Sequence, residues 1–331
     1  MMTLPLMAFS QTNRITTLQN ARQLVVNNGQ EVSHHLLKTG ESLKIYRKDG
    51  QLMLNDTPLD ANASLRLQSL TRYAIDEDSS AFNNKYTINY GLLAFRRSMN
   101  VGQWNSICVP FSLTGSQLLD AFGEDTQVAA LQNVTDGDNP TVEFQTLDLK
   151  TNDIVMEANQ HYLIRPSREP DIAAGSQTSV NYGKTKVTGP VYAIAGVTLE
   201  SGQTPKLQSM RSDDKSTTVR LRGSYGSRDV ALGSNPRYVL SDEGRFYQLT
   251  ATMSQKAFRS YIEDASQESH DHLRFYINGV DEDISDVTAI AVLSVPKESK
   301  TGVYDLQGRR VNASTLKKGL YIVDGKKVMM R

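Results

Sequence analysis

Cysteine is almost absent: Cys108 stands alone in 331 residues. An intramolecular disulfide is therefore excluded, and a cage of thiolates around a metal goes with it. Charge of one sign is also missing, because 36 Lys and Arg balance 36 Asp and Glu. A nucleic-acid binder carries a basic footprint, and this balance argues against one. No apolar run approaches the roughly 18 residues of a membrane-spanning helix, and the mean hydropathy is −0.42.

Catalytic signatures are equally scarce. No G-x-S-x-G elbow, H-E-x-x-H helix or phosphate-binding Gly-rich loop occurs. Ser212-x-x-Lys215 matches S-x-x-K only inside a polar, Ser-rich stretch, which reads as coincidence. The imidazoles are His34-His35, His161 and the pair in His270-Asp271-His272. A His-x-His on a strand puts both rings on one face, but no third ligand accompanies it. Asp136-Gly137-Asp138-Asn139 lacks the spacing and closing Glu of a calcium loop and reads as a hairpin tip. Cys108, flanked by Ile107, Val109 and Phe111, reads as an inert buried thiol. No catalytic residue, metal ligand or cofactor site is assigned.

What is present is a regular alternation of short apolar runs and turn residues. Leu24-Val25-Val26 precedes Asn28-Gly29, Leu43 to Tyr46 precedes Asp49-Gly50, and Leu52-Met53-Leu54 precedes Asn55-Asp56. Such spacing predicts antiparallel hairpins in a sandwich or barrel. Asp76 to Asn84 reads as a polar surface loop, Ile154 to Ile164 as a hairpin, and Lys256 to Ile262 as strand. Thr114 and Gln117 stand at capping-box spacing before Leu118, Leu119 and Phe122, with Gly123 as the stop, which predicts one short helix. Trp104, next to Cys108 and Phe111, reads as core, since Trp and Cys gain most from burial. The fold expected is all-β: two antiparallel β-sandwich-like units, one short helix and a small C-terminal β tail. The boundaries read are 11–200 for the first unit, 201–217 for a linker, 218–287 for the second unit and 301–331 for the tail.

Both termini read as targeting segments. Residues 1–10 are short and apolar, with small residues Ala8 and Ser10 before Gln11. This predicts the remnant of a signal peptide, cut between Ser10 and Gln11. In the tail, Leu320 to Val323 is apolar on both faces, and Asp324-Gly325 marks a tight hairpin before Lys326-Lys327-Val328.

The tail segments V-Y-D-L-Q-G-R-R-V and K-K-G-L-Y-I-V-x-G-K-K-V resemble the C-terminal sorting domain of proteins exported by the type IX (Por) system of Bacteroidota. Tyr304, Asp305, Gly308, Arg309, Lys318, Gly319, Tyr321, Gly325, Lys326 and Lys327 carry that resemblance. It implies recognition by the secretion machinery, passage across the outer membrane, and release or surface attachment. The segment around Trp104-Asn105-Ser106-Ile107-Cys108 also resembles one that recurs in uncharacterised exported Bacteroidota proteins, and no activity comes with it. The function expected is that of a non-enzymatic secreted or cell-surface protein, adhesive toward an extracellular protein or glycan. The alternatives are a glycan-binding module stacking sugars on Tyr225, Tyr238, Tyr247 or Tyr261, and a secreted glycoside hydrolase with an unmarked acid pair.

Overall fold

The computed structural model describes residues 18–38, 43–82, 84–137, 139–176, 179–182, 185–268 and 270–282, and the tail strands at 303–304, 310–311, 319–323 and 326–330. The fold is all-β, and the chain divides into two compact units, Met1–Ile284 and Ser285–Arg331. The expected cleavage at Ser10–Gln11 lies outside the described residues, as do Asp305, Gly308, Arg309, Lys318 and Gly325 of the tail motif.

Turn chemistry decides the start of the first unit. Asp49 and Gly50 both have positive φ (50° and 82°), as do Asn55 and Asp56 (48° and 65°). Two such residues in a row make the turn whose twist matches antiparallel strands. Ile45–Lys48, Gln51–Leu54 and Thr57–Pro58 accordingly form a meander. Beside it, Glu31–Leu37, Arg22–Asn28 and Ser64–Ser69 make a three-stranded antiparallel sheet, and Leu24, Val26, Leu54 and Leu59 share one small core.

The next sheets are stacked by alternation. In strand Ile88–Arg96, Leu93 and Phe95 enter one core, while Leu92 and Ala94 enter another with Leu18, Ala21 and Ile172. This strand pairs with Val191–Leu199 on one side and runs parallel to Arg72–Asp76 on the other. A six-stranded sheet follows, ordered Val280–Asp281, Arg274–Ile277, Thr141–Thr146, Gln127–Val134, Tyr162–Arg165, Asn105–Ile107. Val128 and Ile164 face the core with Leu93 and Phe95, whereas Ala129, Leu131 and Leu163 face a second core. That second core is closed by Val219, Leu221, Tyr238, Phe246 and Ile262 of a five-stranded sheet. Its order is Gln208–Arg211, Thr218–Ser224, Arg259–Asp264, Arg237–Leu240, Phe246–Gln248.

Several local expectations change. Thr141–Thr146 runs parallel to Arg274–Ile277, so residues on either side of 201–217 share one sheet. Within 201–217 itself, Gln208–Arg211 is a strand paired with Thr218–Ser224 rather than linker. Ile154–Met156 and Tyr162–Arg165 do not pair with each other; the first pairs with Leu113–Thr114 and the second with Gln127–Val134. The helix Gly115–Phe122 forms as expected, with both capping-box bonds between Thr114 and Gln117, and Gly123 ends it at φ 111°. In the second unit, Arg310–Val311, Val303–Tyr304, Gly319–Val323 and Lys326–Met330 form an antiparallel four-stranded sheet, with Val323 opposite Lys326.

The largest departure is Glu77. Read as part of a polar surface loop, it is fully buried, because three cations surround it. Arg97 Nη1 lies 3.3 Å from Oε2, Arg259 Nη2 donates to Oε2 at 2.9 Å, and Lys256 Nζ donates to Oε1 at 3.1 Å. The Ser98 hydroxyl donates to Oε1 at 2.5 Å. Arg97, itself fully buried, also donates through Nη2 to Ser106 O at 2.7 Å. The main chain joins in: Glu77 N donates to Arg96 O at 3.1 Å, and Ala257 N donates to Glu77 O at 2.9 Å. The carboxylate thus ties the sheet of Arg72–Asp76, Ile88–Arg96 and Val191–Leu199 to the five-stranded sheet, and Arg97 extends the tie to the six-stranded sheet through Ser106.

Burial by itself would raise the Glu77 carboxyl, but Arg97, Arg259, Ser98 and Lys256 outweigh it and hold it at about 2, below the ordinary 4.5. A carboxyl lowered in the fold stabilises it above the unfolded value, and that stabilisation is lost as pH falls through the folded one. The unfolding free energy should therefore decline between pH 4.5 and about 2, and Glu77→Gln should remove part of the decline. Denaturant titrations across that range check this; equal acid sensitivity in the two proteins would contradict it.

Candidate functional site

A groove of about 690 Å³ opens where the helix N-terminus, the turn at Ala158-Asn159 and the segment 196–206 converge. Polar side chains such as Gln117, Asn159, Glu200, Gln203 and Lys206 share its lining about equally with apolar surface from Pro110, Phe111, Ile154 and Ala158. The helix cap fixes Gln117, whose amide donates to Ala195 O at 2.9 Å and Gly196 O at 3.0 Å. Asn159 has φ 71°, a left-handed backbone that Asn tolerates better than most residues. Its side chain sits mid-way along a chain of oriented bonds. Tyr225 Oη donates to Asn159 Oδ1 at 2.6 Å, Asn159 Nδ2 to Gln203 Oε1, and Gln203 Nε2 to Glu200 Oε2 at 3.1 Å. This chain runs from the core to the rim and holds the wall in one arrangement.

Behind the groove lie Cys108 and His161, both buried. Gly223 is what lets them come close. A Cβ there would stand 2.8 Å from His161 Cε1 and 2.9 Å from Cys108 Sγ. Cysteine, histidine and asparagine side by side invite comparison with a thiol nucleophile and its base. The electrostatics point the other way. Burial pushes the Cys108 thiol up to about 12, against a smaller lowering contact from Tyr225. Burial also lowers His161, whose Nε2 lies 2.7 Å from Lys206 O, opposed by that same bond. A protonated thiol beside a neutral imidazole is packing, not an activated pair.

A second polar constellation joins Asp264, His270 and Thr217. Asp264 Oδ2 lies 3.0 Å from His270 Nδ1, and His270 Nε2 lies 3.4 Å from Thr217 Oγ1. Asp264 also accepts from the Ser266 amide and hydroxyl and from His270 N. The order mimics a hydrolase triad, but Thr217 is fully buried, so no substrate carbonyl reaches it. The bonds instead close the 212–217 turn onto the 264–270 loop. A further cleft of about 560 Å³ beside Glu77 is edged by Tyr73, Phe82 and Arg96, and Arg96 is tied to Asp76 at 2.6 Å and to Asp78.

The imidazoles weighed in the sequence, and not assigned as metal ligands, lie apart. His270 turns to Asp264, while His272 packs edge-on against Tyr238. His34 stacks on Tyr90 at 4.9 Å, and His35 meets Ser33. Among the described residues, no three His, Cys, Asp or Glu are grouped to hold an ion. Three of the four tyrosines read as a sugar-stacking platform are out of reach. Tyr225, Tyr238 and Tyr261 are buried, at 5%, 0% and 7% exposure, and Tyr247 is half-buried beside Tyr261. Trp104 is core, packed with Ala129, Leu131 and Leu163. Of the tail motif, Tyr304, Gly319, Tyr321, Lys326 and Lys327 fall in strands of the four-stranded sheet. Asn159 and Gln203 went unmarked in the sequence; only the turn-favouring Ala158-Asn159 step hinted at a fixed corner.

No family model, curated protein or solved structure matches this chain. The groove must therefore be judged on its own geometry, which offers hydrogen-bonding groups from Gln117, Asn159 and Gln203. The buried thiol gives a direct check. Ellman's reagent should leave Cys108 unlabelled in the native protein and label one thiol per chain in denaturant. Prompt labelling of the native protein would contradict the inert reading.

Proposed function

We propose that this chain is a non-enzymatic exported protein, released or held at the cell surface, in which residues 302–331 direct export and the preceding body makes an adhesive contact. The observation that carries this reading is the division of the chain. Ser285–Arg331 clusters as its own compact unit with its own four-stranded sheet, which suits an element handled separately from its cargo. The resemblance of its motif to type IX sorting domains supports the same role, with the secretion machinery as partner. For the body, a groove of mixed polar and apolar lining braced by oriented hydrogen bonds, and a thiol kept protonated, suit holding a ligand rather than transforming one.

Removing residues 302–331 and fractionating the cells tests it. The full chain should reach the outer-membrane or culture fraction, and the truncated chain should remain in the periplasm. Fusing the same segment to a periplasmic reporter guards against misfolding of the truncated body, and the fusion should be exported. Unchanged export after deletion, or a reporter that stays behind, would refute the sorting role.

A further inference from the structure

The outer face of the five-stranded sheet gathers positive charge that the chain as a whole does not have. Along Thr218–Ser224, Val219 and Leu221 enter the core, so alternation turns Arg220 and Arg222 outward. Each keeps 36% of its side chain exposed. The register sets Arg220 opposite Glu263, Glu263 opposite Arg237, and Arg222 opposite Tyr261. Arg228 and Arg237 both lie over the Tyr261 ring, 5.6 and 5.5 Å from its centre. Arg211, on the edge strand opposite Thr218, is exposed.

On the sheet face itself Arg211, Arg220, Arg222 and Arg237 stand against one carboxylate, with Arg237 half-buried and tied to Ala231 O; Arg228 joins them from the neighbouring two-stranded sheet Arg228–Val230 and Met253–Gln255. Glu263 is 6% exposed and meets Arg222 Nε at 2.8 Å, with Arg220 Nη1 at 4.0 Å. Other acids stand at the margins. Asp229 is exposed on the neighbouring strand Arg228–Val230, and Asp213 and Asp214 lie in the turn beyond Arg211, where Asp214 accepts from Ser212 and Ser216. Formal charge over the whole sequence is zero, so the excess is local.

We infer that this face binds an acidic polysaccharide through its sulfate or carboxylate groups. Arginine offers a planar fork that matches either oxyanion with paired bonds. Strand geometry spaces the arginines regularly, about 7 Å apart along a strand and about 5 Å between strands. Val230, Val239, Leu249 and Tyr261 form a small core that covers the rest of this face, so the open arginines follow strand Thr218–Ser224, from Arg211 opposite Thr218 through Arg220 and Arg222 to Arg228, which donates to Gly223 O. A row of this kind meets a chain that repeats its charges better than it meets a point anion. Nucleic acid is the weaker match, because Tyr261 is buried under Arg228 and Arg237 and Tyr247 is half-buried against Val239 and Tyr261, so neither ring lies open to stack a base. The inference names the ligand for the adhesive contact proposed above, and it does not depend on the sorting tail.

The test uses the full chain with heparin as the sulfated probe, polygalacturonate as the carboxylated probe, and dextran and duplex DNA as comparisons. Isothermal titration should show binding to at least one polyanion and none to dextran. The affinity should fall by about tenfold or more between about 50 and 300 mM salt. Arg220→Ala with Arg222→Ala should weaken binding by about tenfold or more, at the level of charge-assisted bonds. Since Arg222 neutralises Glu263, Arg211→Ala with Arg228→Ala provides a second pair that leaves that ion pair intact, and it should weaken binding in the same direction. Lys48→Ala, exposed on the hairpin 45–54 away from both the groove and this face, should leave binding unchanged. Absence of binding to both polyanions, full affinity in either folded arginine pair, or tighter binding of duplex DNA would overturn the inference. Tail-dependent export alongside any of those results would remove the ligand assignment alone.

Discussion

One carboxylate holds this fold to its arrangement. Burying an ion forfeits several kcal/mol of hydration, and only close opposite charge and hydrogen bonds offset that. Glu77 has Arg97, Arg259, Lys256 and Ser98 around it, together with main-chain bonds to Arg96 and from Ala257. Such a cluster is weak evidence for stability compared with a well-packed apolar core. Losing one member is another matter, since an unpaired buried charge costs about 3–5 kcal/mol. Arg97 makes the asymmetry plain. Burial and its neighbour Arg259 both lower it, Glu77 opposes them, and it remains a cation at neutral pH. Once assembled, the cluster permits only the arrangement in which all its partners are present.

That constraint matters because the sheets it joins carry the groove and the arginine face. The six-stranded sheet is apolar on both faces and gives alternate residues to two cores, so it has no freedom to slide. Tyr225 packs into one of those cores and starts the oriented chain in the groove wall by donating its hydroxyl to Asn159. The five-stranded sheet packs its inner face on the other core, which leaves Arg220 and Arg222 facing outward. The groove and the arginine face are thus consequences of packing. Neither needs a mobile part or a reactive group.

The sequence shows its short-range features clearly and its long-range ones poorly. Asp49-Gly50, Asn55-Asp56 and the Thr114–Gln117 cap are decided within four residues, and each forms as the residues predict. Trp104 and Cys108 are buried for the ordinary reason that large or soft apolar groups leave water. Glu77 is different. In a run of Asp, Glu and Ser it looks solvated, and its three cations come from positions 20 to 182 residues away. The parallel pairing of Thr141–Thr146 with Arg274–Ile277 is equally remote, and it makes one sheet from segments that read as separate units. Tyr238 and Tyr261 looked available because a strand's aromatic residues carry no mark of which face is covered. Arg220 and Arg222 were visible as an alternation, but their place beside Arg237 depends on a strand order that spacing does not reveal.

The most direct measurement is residue-resolved hydrogen exchange on the wild type and Glu77→Gln. The amides of Arg97, Cys108 and Ala257 bond to Pro190, Phe258 and Glu77, and so report on different sheets around the cluster. If one carboxylate holds those sheets together, all three amides lose protection in the variant, together and by similar factors. Loss confined to residues 76–80, with Arg97 and Cys108 as protected as before, would contradict the account.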